Sequence, residues 1–108
     1  MYEYKAIYIY NYDGDTVDLV VDLGFNISFE IKVRMLGIDA YELKDKANKE
    51  LSYKAKDYVK DKLSNASEII VKTKKDTTEK YGRYLATIFY DSINLNEELV
   101  KLGLAKEY

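Results

Sequence analysis

The chain contains no cysteine, no histidine and no proline. Without cysteine there can be no disulfide and no thiolate nucleophile. The lack of histidine extends the exclusion to ordinary zinc sites, Ser-His triads and His-based hydrolysis. Any resident metal must be held by oxygen, which points to Ca²⁺, Mg²⁺ or Mn²⁺. No apolar stretch approaches the roughly 18 residues of a membrane span. The segment Met1-Tyr2-Glu3-Tyr4-Lys5 lacks the basic-then-apolar order of a secretory signal, so the expected location is intracellular. An excess of positive charge is missing as well: the formal net charge is −2 and the isoelectric point about 5.2. Tight, non-specific duplex binders are usually basic, so a polyanionic partner here needs a local basic groove or a metal ion.

What is present fits one globular domain spanning all 108 residues, with 47% hydrophobic and 33% charged residues. Tyr4 to Tyr10 is rich in Tyr and Ile and reads as a strand. Asp13-Gly14 is a turn signal, and Val17, Leu19, Val21 and Leu23 alternate behind it as a second strand. Gly24 to Asn26 makes the next turn. Phe29, Ile31, Val33 and Met35 then alternate with Ser28, Glu30, Lys32 and Arg34 in a third strand, which Gly37 interrupts. Residues from Leu43 to Asn48 read as a polar loop. Ala47, Leu51, Ala55, Tyr58, Val59 and Leu63 recur at helical spacing and define an amphipathic helix ending at Ser64-Asn65. Two more strands follow, Glu68 to Lys74 and Tyr84 to Tyr90. Asn94 and Glu97 have the spacing of a capping box for a short second helix, and Gly103 is its natural stop. Five strands with a helix after the third predict a mainly β, α+β fold: a small five-stranded OB-type barrel with two helices.

Three segments carry the chemistry: Asp13-Gly14-Asp15-Thr16, Arg34 to Glu42, and Glu79-Lys80-Tyr81-Gly82-Arg83. Asp15 and Asp39 are hard oxygen donors that repel one another unless a cation is shared between them. Arg34 and Arg83 stay charged at any working pH and grip two phosphate oxygens at once. Glu42 is placed to orient or deprotonate a water. Together these are the parts of metal-assisted phosphodiester cleavage. Each has a plainer reading: Asp-Gly is the default turn dipeptide, and isolated Arg and Glu are usually solvated. Lys72, Lys74, Lys75 and Lys80, with Tyr81 and Tyr84, form a basic and aromatic cluster. It suits either edge-strand protection or a groove for a nucleic-acid backbone and a stacked base.

Read in order, Asp13 to Thr16, Arg34 to Glu42, Lys80 to Arg83 and Leu95 to Ala105 resemble the motifs of the staphylococcal nuclease family. The resemblance covers nearly the whole chain. It implies an OB-fold barrel and a Ca²⁺-dependent nuclease that cleaves DNA and RNA at the 5′ P–O bond, leaving 3′-phosphates. By motif position it implies Asp15, Asp39 and the Ala40 carbonyl as metal ligands. It implies Arg34 and Arg83 as phosphate-binding catalytic residues, Glu42 as general base, and Lys80 and Tyr81 as nucleotide contacts. Single-stranded DNA or RNA is the expected partner, with a monomer favoured over a homodimer. The sequence departs from the pattern at Tyr41, where the family has proline. It also stops just after the second helix, where family members continue into a third. The expectation is that Tyr2, Tyr4 and Tyr108 cover the surface so left.

Two other readings remain. The first is an OB-fold module that holds a nucleic acid or a protein without cutting. The second is a nuclease built on Asp15 with Glu30-Ile31-Lys32, a tripeptide that strand alternation also explains.

Overall fold

The computed structural model describes residues 2–41, 46–78 and 80–108, residues 75–77 by backbone alone. Strand β1 (Tyr2–Asn11) pairs antiparallel with both β2 (Thr16–Asp22) and β5 (Ile69–Thr78). β2 pairs with β3 (Ser28–Met35), and β5 with β6 (Tyr84–Tyr90). The ring closes where β6 returns to β3 in parallel, Val33 opposite Tyr84 and Arg34 opposite Leu85. The result is a closed five-stranded barrel of the OB type, as the strand pattern predicts. Three short strands add to it: β4 (Ile38–Ala40) pairs with β8 (Ala105–Glu107), and β7 (Ile93–Asn94) extends β6.

The strand alternation is legible in the packing. Val17, Leu19, Val21, Val33, Met35, Val71 and Ile88 fill the barrel. Phe29 departs from this pattern and is exposed at the turn end of the β2–β3 hairpin. That hairpin turns through Gly24, Phe25 and Asn26, all with positive φ.

Helix α1 (Lys49–Asn65) follows a 3₁₀ turn at Lys46–Asn48 and seals the barrel with Ser52, Ala55, Val59 and Leu63. The buried stripe therefore begins at Ser52 and not at Ala47, which is exposed. Ser52 tolerates burial because its hydroxyl donates to the Asn48 carbonyl at 3.1 Å. Among the described residues no helix is long and apolar enough to cross a membrane.

Helix α2 (Leu95–Lys101) is capped as its sequence indicates. The Asn94 side chain accepts from the Glu97 N–H at 3.0 Å. At the other end Gly103, with φ 72°, donates to the Val100 carbonyl, and Leu104 donates to Leu99. These paired bonds form a Schellman motif, which only a residue at ease with positive φ can complete. Leu95 and Leu99 reach the core.

Asn96, between them, is buried and spans the barrel seam. Its Nδ2 donates to the carbonyls of Leu36 (2.8 Å) and Ala86 (3.2 Å), and its Oδ1 accepts from the Ile88 N–H at 3.1 Å. One amide thus ties the end of β3 to β6 where parallel closure occurs.

The expected tyrosine cover forms only in part. Tyr4 packs against the core, but Tyr2 and Tyr108 are 54% and 90% exposed. Tyr108 serves elsewhere, as described below.

Replacing Asn96 with alanine takes this partner from the Leu36 carbonyl and the Ile88 N–H, while the Ala86 carbonyl keeps the Leu36 N–H, at a cost of roughly 2–4 kcal/mol. The expected fall in Tm is on the order of 10 °C. A variant that melts within a degree or two of the wild type would show that the seam does not depend on this amide.

Candidate active site

The loop between β1 and β2 is held from three directions. Asp13 Oδ1 accepts the backbone N–H groups of Asp15 (3.0 Å) and Thr16 (2.9 Å), fixing the turn from within. Asn11, fully buried, donates through Nδ2 to the carbonyls of Asp13 (3.0 Å) and Lys56 (2.9 Å), and its Oδ1 accepts from Tyr8 Oη at 2.5 Å. The loop is therefore fastened to α1. Gly14 allows this approach. A Cβ there would lie 2.7 Å from the Ala55 Cβ and 3.0 Å from the Ala40 Cβ. Gly14 has no positive φ, so it is needed for contact and not for backbone freedom.

Asp15 emerges from this loop 6% exposed. Its carbonyl accepts from the Met35 N–H at 2.8 Å, which extends the β2–β3 ladder to the site. Its Oδ2 accepts from the Ala40 N–H at 2.9 Å and lies 3.2 Å from Arg34 Nη1, while Oδ1 accepts from the Thr16 hydroxyl at 3.2 Å. Arg34 Nη2 lies 3.5 Å from Asp39 Oδ1, and Nη1 also donates to the Met35 carbonyl at 2.8 Å. The two aspartates thus converge on one cation.

Burial, with the Asp13 carboxylate nearby, raises the Asp15 pKa from its ordinary 3.8 to about 7, against the opposing pull of the Ala40 N–H and Arg34. Such a carboxyl favours a further cation as the condition for ionising at neutral pH.

A cavity of about 460 Å³ opens over this cluster. Asp15, Arg34, Asp39, Ala40, Lys80, Tyr81 and Arg83 all line it. Seven of the eight residues singled out by sequence therefore meet in one place. The eighth, Glu42, lies outside the described residues. Arg83 reaches the cavity because β6 begins one residue later and pairs with β3 beside Arg34. The Arg83 guanidinium and the Lys80 ammonium lie 5.3 and 4.9 Å from the centre of the exposed Tyr81 ring.

Among the described side chains, which exclude that of Lys75, the wider lysine cluster does not assemble. Lys72 lies 3.8 Å from Glu3 and over the Phe89 ring, and Tyr84 packs against the core. Nor do Glu30 and Lys32 line the cavity; Lys32 sits over the Tyr12 ring at 4.4 Å. That removes the support for chemistry centred on Glu30-Ile31-Lys32.

Sequence reasoning missed Asn11 and placed Tyr108 elsewhere, and it read Asp13 as a turn residue, which its bonds to the Asp15 and Thr16 N–H groups bear out. Tyr108 donates its N–H to the Gly37 carbonyl at 3.0 Å, and its ring centre lies 5.9 Å from the Arg34 guanidinium. No local pattern marks Asn11 or Tyr108. Asp13, two residues before a buried aspartate, had the spacing of an Asx turn, a usable signal.

The oxygen-only donor set suits a hard cation. Asp15 and Asp39 already share one positive group, and the Ala40 backbone is bound to Asp15. Among the described residues no three acidic side chains cluster tightly enough to form a complete metal cage by themselves. An ion there would rely on backbone oxygen and water for its remaining ligands.

Residues 32–108 match the staphylococcal nuclease homologue family. The chain belongs to that family. It is 36% identical over 120 residues to the uncharacterized protein MJ1439 of Methanocaldococcus jannaschii, covering 89% of this chain and 55% of that protein. It is 34% identical over 114 residues to Endonuclease YhcR of Bacillus subtilis, covering 98% of this chain and 9% of that protein. The chain thus spans about half the length of the first relative and a small fraction of the second.

Two outcomes follow from the geometry. Gly14→Ala forces the loop off α1 and is expected to cost roughly 1–3 kcal/mol, since overpacked contacts relax only by moving backbone. Pairing it with Ala55→Gly should recover part of that loss, and thermal melts of the single and double variants measure it. The Asp15 shift predicts a pH dependence. The unfolded chain releases this proton first, so without divalent cation the Asp15 contribution is fully present below about pH 4 and is lost as pH rises through about 7. In chelator, Asp15→Asn should gain stability relative to the wild type between about pH 4 and about pH 8. Parallel pH–Tm curves for the two proteins would contradict this.

Proposed function

We propose that the protein is a Ca²⁺-dependent nuclease that hydrolyses phosphodiester bonds of DNA or RNA, preferentially single-stranded. The observation that carries this reading is the convergence of Asp15, Arg34, Asp39, Ala40, Lys80, Tyr81 and Arg83 on one cavity. Membership of the staphylococcal nuclease family supports it, and so does the name endonuclease borne by the Bacillus subtilis relative.

Asp15, Asp39 and the Ala40 carbonyl are the proposed holders of the ion. When bound, the ion would supply Lewis-acid stabilisation of charge on a phosphate oxygen and offset the repulsion between the carboxylates. The arginines do the rest of the electrostatic work. Arg34 stands against both carboxylates and the Met35 carbonyl, so an ion that took over the carboxylates would leave its guanidinium beside the same cavity to turn to a phosphate. Arg83 approaches from the neighbouring strand. Two guanidiniums suit the extra negative charge of a pentacoordinate phosphorus better than two ammoniums, because each grips a pair of oxygens.

Lys80 and Tyr81, on the exposed rim, bind the neighbouring phosphate and stack a base. Glu42 is assigned to the attacking water by its position in the family motif. Water attack with loss of the 5′ oxygen leaves a 3′-phosphate.

The test is digestion of single-stranded DNA and RNA with Ca²⁺ and with excess chelator. Cutting should require Ca²⁺; undiminished cutting in chelator would falsify the reading. Arg83→Ala should lower turnover by ~10²–10³, with poor rescue by lysine. Arg34→Ala should do the same and also destabilise the fold, because it leaves Asp15 buried without its partner. Near-normal turnover in both variants would make the arginines surface residues.

A further inference from the structure

A second aromatic and basic surface lies beside the cavity, and a fault in the strand register creates it. Along β1, Tyr4, Ala6 and Tyr8 turn inward while Lys5, Ile7 and Ile9 face out. Continued alternation would bury Tyr10 and Tyr12 and expose Asn11. The pairing with β2 slips by one residue between Tyr8 and Tyr10, however, so that Tyr10 opposes Asp18 and Asn11 opposes Val17. Such a bulge reverses which face each later residue occupies. Asn11 turns in to pin the loop, and Tyr10 and Tyr12 turn out, 47% and 40% exposed.

Outside, the two rings meet edge to face with centres 5.1 Å apart. Lys32 lies 4.4 Å from the Tyr12 ring centre and Lys56 lies 5.7 Å from that of Tyr10. Tyr12 is further fixed by its hydroxyl, which donates to Asp18 Oδ2 at 2.6 Å. The surface joins the cavity by two short routes. Tyr12 precedes Asp13, which lines the cavity. Lys32 shares a face of β3 with Arg34, two residues or roughly 6–7 Å further along.

Two ordered aromatic faces with two flexible ammoniums are the elements that bind unpaired bases and their phosphates. We propose that Tyr10, Tyr12, Lys32 and Lys56 form a stacking platform that holds the single strand flanking the scissile phosphate. This rests on the nuclease reading of the adjoining cavity and adds a subsite to it. The platform selects single strands, because a paired base offers no free face. Asp18 at its centre and the net charge of −2 mean that stacking outweighs charge in this subsite. Its salt dependence is correspondingly shallow.

The test is equilibrium binding of a labelled oligothymidylate of about 12 nucleotides, followed by fluorescence anisotropy in chelator so that no cutting occurs. Tyr10→Ala/Tyr12→Ala should weaken binding at least ~10-fold, the loss expected for two stacked bases. Tyr10→Phe/Tyr12→Phe should restore most of it, which loss of folding would not allow. Lys32→Ala/Lys56→Ala should reduce the slope of log affinity against log salt by about 1.4, at about 0.7 per phosphate contact on a single strand. Should the double alanine variant disturb the fold, Lys32→Glu/Lys56→Glu on the surface gives an independent reading and should weaken binding further.

Binding unchanged in both the tyrosine and lysine variants, or no binding by the wild type, overturns the platform. Ca²⁺-dependent cutting by the wild type is assayed separately. If it cuts while the variants bind normally, only the platform falls. If it cuts nothing while binding still needs the rings, the nuclease reading falls and the platform stands.

Discussion

Parallel closure of β3 onto β6 is the constraint on which the rest of the molecule depends. Four of the five barrel contacts are antiparallel pairings between strands, and each could form as part of an open sheet. The fifth cannot form locally, because β3 and β6 are separated by α1 and β5. Closure brings Arg34 and Leu85 opposite one another and so delivers Arg83 to the same rim. It also presents β4, with Asp39 and Ala40, directly after the end of β3. The seam is short, and parallel pairing is slightly weaker per residue than antiparallel. A buried side-chain amide supplements it: Asn96 satisfies groups on both sides, using both of its N–H donors and its oxygen.

The site itself is organised around a buried carboxylate. Asp15 is expensive to ionise where it stands, and the surroundings offset that cost only in part with Arg34 and one backbone N–H. A group held in that condition is an acceptor for positive charge, which is the property a hard-cation site requires. The scaffold bears the cost elsewhere. Asn11 and Asp13 spend their side chains on holding the loop backbone, and Gly14 gives up its side chain so that the loop can rest on α1. Residues that touch no substrate thereby fix those that would.

The bulge at Ile9 shows how one irregularity can serve two ends. It turns Asn11 inward, where its amide is needed, and turns Tyr10 and Tyr12 outward, where their rings are accessible. Neither placement follows from the alternation of β1 taken by itself, because the inserted residue changes the sign of everything after it.

The sequence by itself determined the five barrel strands, both helices and the candidate residues that line the cavity. Periodicity at two residues separates the faces of β2 and β3, and periodicity near 3.6 separates those of α1, because burial must repeat with the backbone. Capping at Asn94 and Gly103 is a local hydrogen-bonding matter and was equally legible. The candidate residues were legible because carboxylates, guanidiniums and their spacing carry chemical identity before any fold is known. Tertiary structure alone decided the rest. Ala47 reads as a core residue by spacing yet lies outside, because the barrel surface meets the helix only from Ser52 onward. Tyr108 reads as cover yet lies over Arg34. Lys72 and Lys80 read as one cluster yet separate, because β5 carries Lys72 to Glu3 and the turn carries Lys80 to the cavity. Proximity between residues far apart in the chain is set by barrel closure and register, which are cooperative properties of all five strands, and no single segment of sequence contains them.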